Sequence, residues 1–329
     1  MKKALYLLDT NQPIYSENAR AAIRQLVDIP NEPGSNRVDP ALLAEADIIM
    51  GGWGTPKMDA EFLKGVPKLQ AVFYAAGSIQ HIVTDAFWDR GIIICSAWAA
   101  NAVPVMEYTL SQILFSLKNG HRVARLYRQS RSMDEAQHLV LHAPGAYGST
   151  VGIIGLGMIG RMVVEKLKLF DLHILAYDPF VSAEEARQLG VELTGLENLF
   201  MRADVVSLHA PWRKETEGMI TGARIASMKT GATFINTARG AIVRESEMIR
   251  VLQDRPDLFA VIDVTFPEPP VPESPLWSLP NVLLTPHMAG SWGAECGRMG
   301  AYMVEELHRY LTGQPLQWRI TAERARNMA

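Results

Sequence analysis

Cysteine is scarce in this sequence. Its 329 residues contain two cysteines, Cys95 and Cys296, which lie far apart in the chain. Two cysteines cannot form a disulfide framework or a cysteine-based zinc site. Since disulfides are typical of oxidising compartments, their absence favours a reducing one, and we expect a cytoplasmic protein.

Long apolar runs and an excess of one charge are also missing. The apolar run Ala4–Leu8 is followed at once by Asp9, so it is shorter than the roughly 7–15 apolar residues of a signal peptide and predicts a strand instead. No stretch approaches the roughly 20 apolar residues of a membrane span. Lys and Arg number 32 against 35 Asp and Glu, a net charge of −3. This balance predicts no nucleic-acid partner and no membrane partner.

Short apolar runs alternate with helical patterns along most of the chain. This alternation predicts an α/β fold with parallel sheets whose faces are covered by helices. At roughly 150 residues per domain, the length fits two domains. In the first hundred residues the predicted strands are Ala4–Leu8, Ala46–Met50, Leu69–Tyr74 and Ile92–Cys95, and the predicted helices are Glu17–Leu26, Pro40–Glu45, Ala60–Leu63 and Thr84–Arg90.

A second series of strands and helices begins at Thr150. Its six predicted strands are Val151–Ile154, His173–Tyr177, Val205–His209, Thr233–Asn236, Ala260–Asp263 and Val282–Thr285. Six strands are the number of a complete doubly wound dinucleotide-binding sheet. Val105–Leu117 predicts a buried helix before this series, 121–149 a polar, basic and solvated connecting region, and Ala301–Leu311 a late amphipathic helix.

The strongest local motif is a glycine-rich turn between a strand and a helix. It reads Gly155-Leu156-Gly157-Met158-Ile159-Gly160. In such a turn the first glycine permits the tight bend, the second lets the backbone approach a pyrophosphate, and the third lets helix and strand pack closely. The helix N-terminus then offers its free N–H groups to the phosphates.

A carboxylate follows the next predicted strand and makes the motif more specific. Asp178 ends the run HILAYD, where it can accept hydrogen bonds from the ribose hydroxyls of a dinucleotide. It would repel a 2′-phosphate, and no Arg or Lys follows directly after it. The sequence therefore predicts NAD as the cofactor rather than NADP.

Three functional side chains follow predicted strands of the second series. Arg239 comes after Thr233–Asn236, Glu268 after Ala260–Asp263, and His287 after Val282–Thr285. Ligands of doubly wound sheets bind at the carboxyl ends of strands. Histidine titrates near physiological pH and suits proton transfer, a neighbouring carboxylate stabilises its charged form, and the planar guanidinium suits a substrate carboxylate. We therefore predict a catalytic group of Arg239, Glu268 and His287.

These residues and the segments around them resemble those of a known family. It resembles the NAD-dependent D-2-hydroxyacid dehydrogenases through the segments GLGMIG, AYDP, LHAPWRKETEGMI, MKTGATFINTARGAIV, DVTFPEP and LLTPHMAGS. The resemblance implies hydride transfer between NAD(H) and C2 of a D-2-hydroxy or 2-keto acid. His287 would be the acid/base with Glu268 as its partner, and Arg239 would anchor the substrate.

The resemblance also implies further binding residues. Asp263 would lie near the nicotinamide carboxamide. Other positions along the cofactor would be Met158, Ile159, Ala210, Pro211, Thr237, Ala238, Ala289 and Gly290. The small-residue loop Ala76-Gly77-Ser78 would bind the substrate carboxylate through its backbone N–H groups.

The implied architecture is two doubly wound domains with a cleft between them. Residues 1–100 and 289–329 would form a discontinuous substrate-binding domain, and residues 101–288 an inserted NAD-binding domain. The family implies a homodimer, with the helix from Val105 and the segment 121–149 near the interface. His138 and His142 lie one helical turn apart but lack further ligands nearby, so we predict no metal.

The substrate side chain and two other functions stay open. Trp53, Tyr74, Trp98 and Trp292 fall in segments expected to line the cleft, and few cations lie near them. This pattern favours an apolar or aromatic monocarboxylate over phosphoglycerate, since a phosphate usually binds Arg or Lys. One alternative is an NAD-sensing, corepressor-like binding protein. Another is a formate-dehydrogenase-like enzyme, although the Glu268–His287 pair favours hydroxyacid chemistry.

Overall fold

The computed structural model describes residues 1–326 and divides them into two compact units. The first unit comprises Met1–Ala102 and the described residues from Ser291 onward, and the second is Val103–Gly290. These limits lie close to those expected from the sequence. Residues 327–329, which belong to the expected C-terminal segment, lie outside the described residues. The assignment of substrate and cofactor to the two units stays a prediction.

The helices and strands alternate along both units. In chain order the strands are β1 (Ala4–Leu7), β2 (Ile48–Gly51), β3 (Ala71–Tyr74), β4 (Ile93–Ser96), β5 (Thr150–Ile154), β6 (His173–Tyr177), β7 (Glu192–Leu193), β8 (Val205–Leu208), β9 (Thr233–Asn236), β10 (Phe259–Ile262), β11 (Val282–Leu284) and β12 (Arg319–Ile320). The helices are α1 (Glu17–Leu26), α2 (Pro40–Glu45), α3 (Ala60–Gly65), α4 (Asp85–Asp89), α5 (Trp98–Leu117), α6 (Gly120–Ser130), α7 (Met133–Leu141), α8 (Met158–Leu167), α9 (Ala183–Leu189), α10 (Leu196–Arg202), α11 (Gly222–Ala226), α12 (Glu245–Asp254), α13 (Cys296–Leu311) and α14 (Ala322–Arg326).

The first unit contains a sheet in the order β1-β2-β3-β4-β12. β1 to β4 are parallel, and β12 pairs antiparallel with β4. One apolar cluster lies on each face of this sheet, so its central strands are buried on both sides. β12 is short and polar at Arg319, and the sequence reading missed it.

The second unit contains a parallel sheet in the order β11-β10-β9-β8-β5-β6-β7. The strand order reverses at β5, as in dinucleotide-binding sheets, where the ligand lies beyond the carboxyl ends of the strands at this reversal. The predicted α/β fold with two doubly wound parallel sheets is confirmed. β7 is an additional strand of two residues at the sheet edge.

The segment 121–149 differs from its prediction as a solvated connection. It contains most of α6 and all of α7, which pack against each other, and Arg122 within it is 9 % exposed. The polar and basic residues of this segment indicated a solvated connection, so neither helix was predicted. α5 begins at Trp98, earlier than Val105, and runs through the limit between the two units at Ala102.

None of the helices in residues 1–326 is long and apolar enough to cross a membrane. No group of three or more His, Cys, Asp or Glu side chains in this part of the chain could hold a metal ion.

Candidate active site

The predicted catalytic residues follow three neighbouring strands of the second unit. β9, β10 and β11 are adjacent and parallel, and Arg239, Glu268 and His287 come after their carboxyl ends. We call residues 236–240 the Arg239 loop and residues 285–289 the His287 loop. The parallel pairing explains why residues so distant in sequence share one edge of the sheet.

Glu268 and His287 form a direct pair. The Nδ1 atom of His287 lies 2.8 Å from the Oε1 atom of Glu268, with the side chains 47 % and 39 % exposed. Such a contact fixes the orientation of the imidazole ring. The backbone of His287 has a φ of +52°, a left-handed conformation that costs energy for a residue other than glycine.

Asp263 holds the His287 loop in this conformation. It is 1 % exposed. Its Oδ1 atom accepts hydrogen bonds from the Thr285 hydroxyl at 2.6 Å and the Met288 N–H at 2.8 Å, and its Oδ2 atom accepts the Ala289 N–H at 2.9 Å. The His287 N–H also donates to the Asp263 carbonyl oxygen at 2.9 Å. The structure thus gives Asp263 a positioning contact, and its expected place beside a nicotinamide stays a prediction.

The Arg239 loop is fixed mainly by its own polar groups. Asn236 accepts the Ala238 N–H at 3.0 Å and donates to the Arg239 carbonyl oxygen at 3.1 Å. The Arg239 guanidinium donates to the Ala238 carbonyl oxygen at 2.7 Å. Burial lowers the pKa of Arg239, and the nearby Glu268 carboxylate opposes this shift. A Cβ on Gly240 would lie 2.1 Å from the Thr265 carbonyl carbon, so this loop requires glycine there.

The glycine motif has the geometry of a phosphate-binding turn. Gly155 has a φ of +93°, and a Cβ there would lie 2.7 Å from the Ala210 nitrogen. A Cβ on Gly160 would lie 2.0 Å from the Gly155 carbonyl oxygen, whereas a Cβ on Gly157 would meet no atom within 4 Å. α8 follows with Met158 and Ile159 partly exposed in its first turn. Open space at the second glycine and tight packing at the other two fit a bound dinucleotide.

Asp178 lies at the end of β6, beside this turn. Its Oδ2 atom accepts the Leu156 N–H at 2.7 Å, and its Oδ1 atom accepts the Phe180 N–H at 2.9 Å. These bonds fix a carboxylate next to the glycine motif, which fits a ribose partner. Its binding role stays a prediction.

Sequence reasoning missed Arg161, which lies beside the same turn. Its Nε atom donates to the Leu156 carbonyl oxygen at 2.7 Å, and Nη2 pairs with Glu185 at 2.7 Å. The available signal was a basic residue directly after the third glycine of the motif.

His209 is a second residue that sequence reasoning missed. It follows β8, directly before the predicted cofactor positions Ala210 and Pro211, and its Nε2 atom lies 2.9 Å from the Ser207 hydroxyl. Burial lowers the pKa of His209 to about 4, so its imidazole is neutral near pH 7. Its position at a strand end, like that of His287, was the available signal.

The small-residue loop belongs to the first unit. The Ser96 hydroxyl contacts the carbonyl oxygens of Ala76 at 2.8 Å and Gly77 at 2.6 Å. Ala76 is buried, while Gly77 and Ser78 are partly exposed. These contacts hold the carbonyl groups of the loop, and binding of a carboxylate by its N–H groups stays a prediction.

Two of the aromatic residues expected to line the cleft contact other residues of the first unit. Tyr74 is 1 % exposed because it lies on β3 within an apolar cluster. Trp98 packs edge-on against Trp318, with ring centroids 5.9 Å apart. Of the other two, Trp53 is partly buried and Trp292 is 52 % exposed.

The chain is similar in sequence to several known proteins. Residues 110–289 match the model of the D-isomer specific 2-hydroxyacid dehydrogenase, NAD binding domain. The chain is 32 % identical to a D-3-phosphoglycerate dehydrogenase of Archaeoglobus fulgidus over 79 % of this chain and 49 % of that one. It is 30 % identical to a glyoxylate reductase of Korarchaeum cryptofilum over 86 % of this chain and 85 % of that one.

A solved structure extends the likeness to the fold. A D-lactate dehydrogenase of Aquifex aeolicus, complexed with NAD and lactic acid, superposes with a TM-score of 0.72 at 26 % identity, covering 94 % of this chain and 96 % of that one. The chain spans about half the length of the D-3-phosphoglycerate dehydrogenases that it matches. The residues that match the NAD-binding-domain model, 110–289, lie within the second unit.

Proposed function

We propose that this chain, which belongs to the D-isomer specific 2-hydroxyacid dehydrogenases, transfers a hydride between NAD(H) and C2 of a D-2-hydroxy or 2-keto acid. The observation that carries the proposal is the Glu268–His287 pair at 2.8 Å, which lies at the same edge of the sheet as Arg239. NAD, when bound, supplies or accepts the hydride. The residues of the chain supply a proton, a fixed positive charge and the orientation of the substrate.

His287 is the proton carrier in this proposal. Its Nδ1 atom is engaged with Glu268, so the proton exchanged with the substrate oxygen is carried on Nε2. During reduction His287 gives this proton to the carbonyl oxygen at C2, and during oxidation it takes the hydroxyl proton. The Glu268 carboxylate stabilises the imidazolium and keeps the ring in place.

Arg239 is the substrate anchor. A guanidinium can bind a carboxylate through two parallel N–H bonds and polarise a nearby carbonyl oxygen. Its partial burial strengthens such a bond because less water competes for the same donors. The Ala76–Ser78 loop is proposed as a second binding element for the carboxylate, through its backbone N–H groups.

For the substrate we propose an apolar or aromatic 2-keto monocarboxylate. With Tyr74 and Trp98 packed inside the first unit, the support comes from the second unit. Trp212 and Phe266 contact each other edge-on, with ring centroids 5.4 Å apart, and are 40 % and 56 % exposed. Phe266 precedes Glu268 by two residues, so this aromatic pair flanks the catalytic segment. The relatives named for phosphoglycerate make phosphohydroxypyruvate the competing substrate.

A homodimer in the cytoplasm completes the proposal. Large apolar side chains on α5 to α7 are exposed, among them Phe115 at 46 %, Met133 at 64 % and Leu141 at 74 %. Exposed apolar side chains of this size would be stabilised by burial against a second copy. The free thiols of Cys95 and Cys296 agree with a reducing compartment. Sedimentation equilibrium should give twice the chain mass, and Leu141→Glu should shift it towards the monomer.

A panel of 2-keto acids tests the chemistry. Glyoxylate, pyruvate, phenylpyruvate and phosphohydroxypyruvate are each assayed with NADH and with NADPH, and formate is assayed with NAD. We expect NADH-dependent turnover that is fastest with the aromatic acid. His287→Ala should lower turnover by about 10²–10⁴-fold, the scale of general acid–base catalysis, while NADH still binds.

Other outcomes separate the alternatives. Binding of NADH without turnover of any acid would support the NAD-sensing function, and oxidation of formate would support the formate-dehydrogenase-like one. Preference for phosphohydroxypyruvate would overturn the proposed substrate class.

A further inference from the structure

Two consecutive side chains of α5 reach the two loops of the candidate site. We infer that Tyr108 is a positioning residue for the His287 loop and Thr109 for the Arg239 loop. The inference rests on the proposed function, because the roles of His287 and Arg239 in the reaction come from it. Neither α5 residue is a catalytic residue, since each acts through a loop that it contacts.

Tyr108 stands at the start of a chain of hydrogen bonds. Its hydroxyl lies 3.2 Å from the Thr285 hydroxyl, which donates to the Asp263 carboxylate at 2.6 Å. A hydroxyl has one proton, and Thr285 gives it to Asp263, so Tyr108 must be the donor to Thr285. Burial raises the pKa of Tyr108, which keeps this proton on the phenol. The order is therefore Tyr108, then Thr285, then Asp263.

This chain of bonds matters because it ends at a strained backbone. His287 has a φ of +52°, and such a conformation persists only where several contacts enforce it. Asp263 enforces it by accepting the N–H groups of Met288 and Ala289. The bond from Tyr108 fixes the Thr285 hydroxyl and with it one of the two carboxylate oxygens. Loss of the phenolic hydroxyl should therefore loosen the loop that orients the imidazole.

Thr109 makes the corresponding contact with the Arg239 loop. It is 0 % exposed, and its hydroxyl lies 3.1 Å from the Thr237 hydroxyl. Thr237 lies between Asn236 and Ala238, whose mutual hydrogen bond shapes the turn before Arg239. Since both hydroxyls are buried, removal of one leaves the other without this partner. The expected result is a displaced guanidinium and weaker anchoring of the substrate.

The two contacts predict effects on different kinetic parameters, kcat for Tyr108 and KM for Thr109. Tyr108→Phe keeps the ring and removes only the hydroxyl, so kcat should fall about three- to tenfold, the rate equivalent of one neutral hydrogen bond, with KM for the keto acid within about twofold. Thr109→Val should raise KM by about three- to tenfold and change kcat little. Thr109→Ser restores the hydroxyl and should restore KM.

A matched control comes from the same helix. Ser111 is exposed, and within residues 1–326 its hydroxyl forms hydrogen bonds with the Tyr108 carbonyl oxygen and the neighbouring Gln112 alone. Ser111→Ala removes a hydroxyl from α5 without reaching either loop, so it should leave kcat and KM unchanged.

Amide hydrogen exchange tests the contacts without any turnover. In Tyr108→Phe, exchange should speed up in a peptide covering 285–289 and stay unchanged in one covering 236–240. Thr109→Val should give the reverse pattern. This pattern together with the kcat and KM split supports the inference. The inference would be overturned if both variants changed kcat and KM equally or if exchange changed uniformly in both peptides. The same effects in Ser111→Ala would also overturn it. The expected exchange pattern in a protein without turnover would refute the proposed function while the two loop contacts stand.

Discussion

Replacing Asp263 by asparagine tests the buried anchor of the His287 loop most directly. The carboxylate accepts three hydrogen bonds and is 1 % exposed. An amide has one oxygen, so at best it keeps the bonds from Thr285 and Met288. Its NH₂ group then takes the place of Oδ2, the oxygen that accepts the Ala289 N–H at 2.9 Å. Two donors therefore face each other there.

The magnitude follows from the donors left without an acceptor. Each buried polar group that loses its partner costs about 1–3 kcal/mol. Here two donors, the new NH₂ group and the Ala289 N–H, are left without an acceptor. We expect Asp263→Asn to lower the free energy of unfolding by about 2–6 kcal/mol. Because the strained φ of His287 is no longer enforced, kcat should fall by about tenfold or more.

Urea unfolding followed by circular dichroism, together with steady-state kinetics, measures both effects. Asp257→Asn is the matched control, since Asp257 forms a partly exposed ion pair with Arg255 at 2.6 Å. Such a pair contributes about 0.2–1 kcal/mol, so its loss should shift the unfolding midpoint little. An Asp263→Asn protein with the midpoint and kcat of the wild type would refute the role of Asp263 as the anchor.

Two further predictions concern the cofactor side of the second unit. Gly157→Ala should keep the unfolding midpoint but weaken NADH binding, measured by fluorescence titration, because its Cβ enters open space where the phosphates are expected. Gly160→Ala should lower both the unfolding midpoint and the affinity for NADH, since its Cβ would lie 2.0 Å from the Gly155 oxygen. The folded-state pKa of His209 is lowered to about 4 from 6.5, so the unfolded chain binds the proton more tightly. Stability should therefore fall as pH drops from about 6.5 to 4, by about 2–3 kcal/mol, and His209→Gln should remove that slope in urea unfolding at pH 7 and pH 5.

Features that depend on local pattern could be predicted from the sequence. α1 begins and ends where expected, because Ser16 caps it and its apolar residues face one side. β6 and β9 also match their predicted bounds, since each is a buried apolar run between polar turns. The strand-end rule placed Glu268 and His287 together because parallel neighbours end at the same edge.

Other features depend on contacts that leave no local pattern. Thr109 contacts Thr237, far away in the sequence, and nothing around either residue indicates the pair. Tyr74 and Trp98 were expected at a binding surface because they are aromatic and lie near loops, but packing buries the first and pairs the second with Trp318. α6 was missed because Arg122, Arg125 and Arg128 indicated a solvated segment, whereas Arg122 is buried.

The pairing of β12 with β4 also bears on how the chain folds during synthesis. β4 is complete early, but its outer edge is covered by Arg319–Ile320, which leave the ribosome long after β4. In the interval β4 presents unpaired N–H and C=O groups, the feature of an edge strand that invites association with other chains. The second unit, by contrast, has its whole sheet once Leu284 has emerged. Of the two units, the nascent first unit is therefore the one that most needs protection from aggregation until β12 arrives.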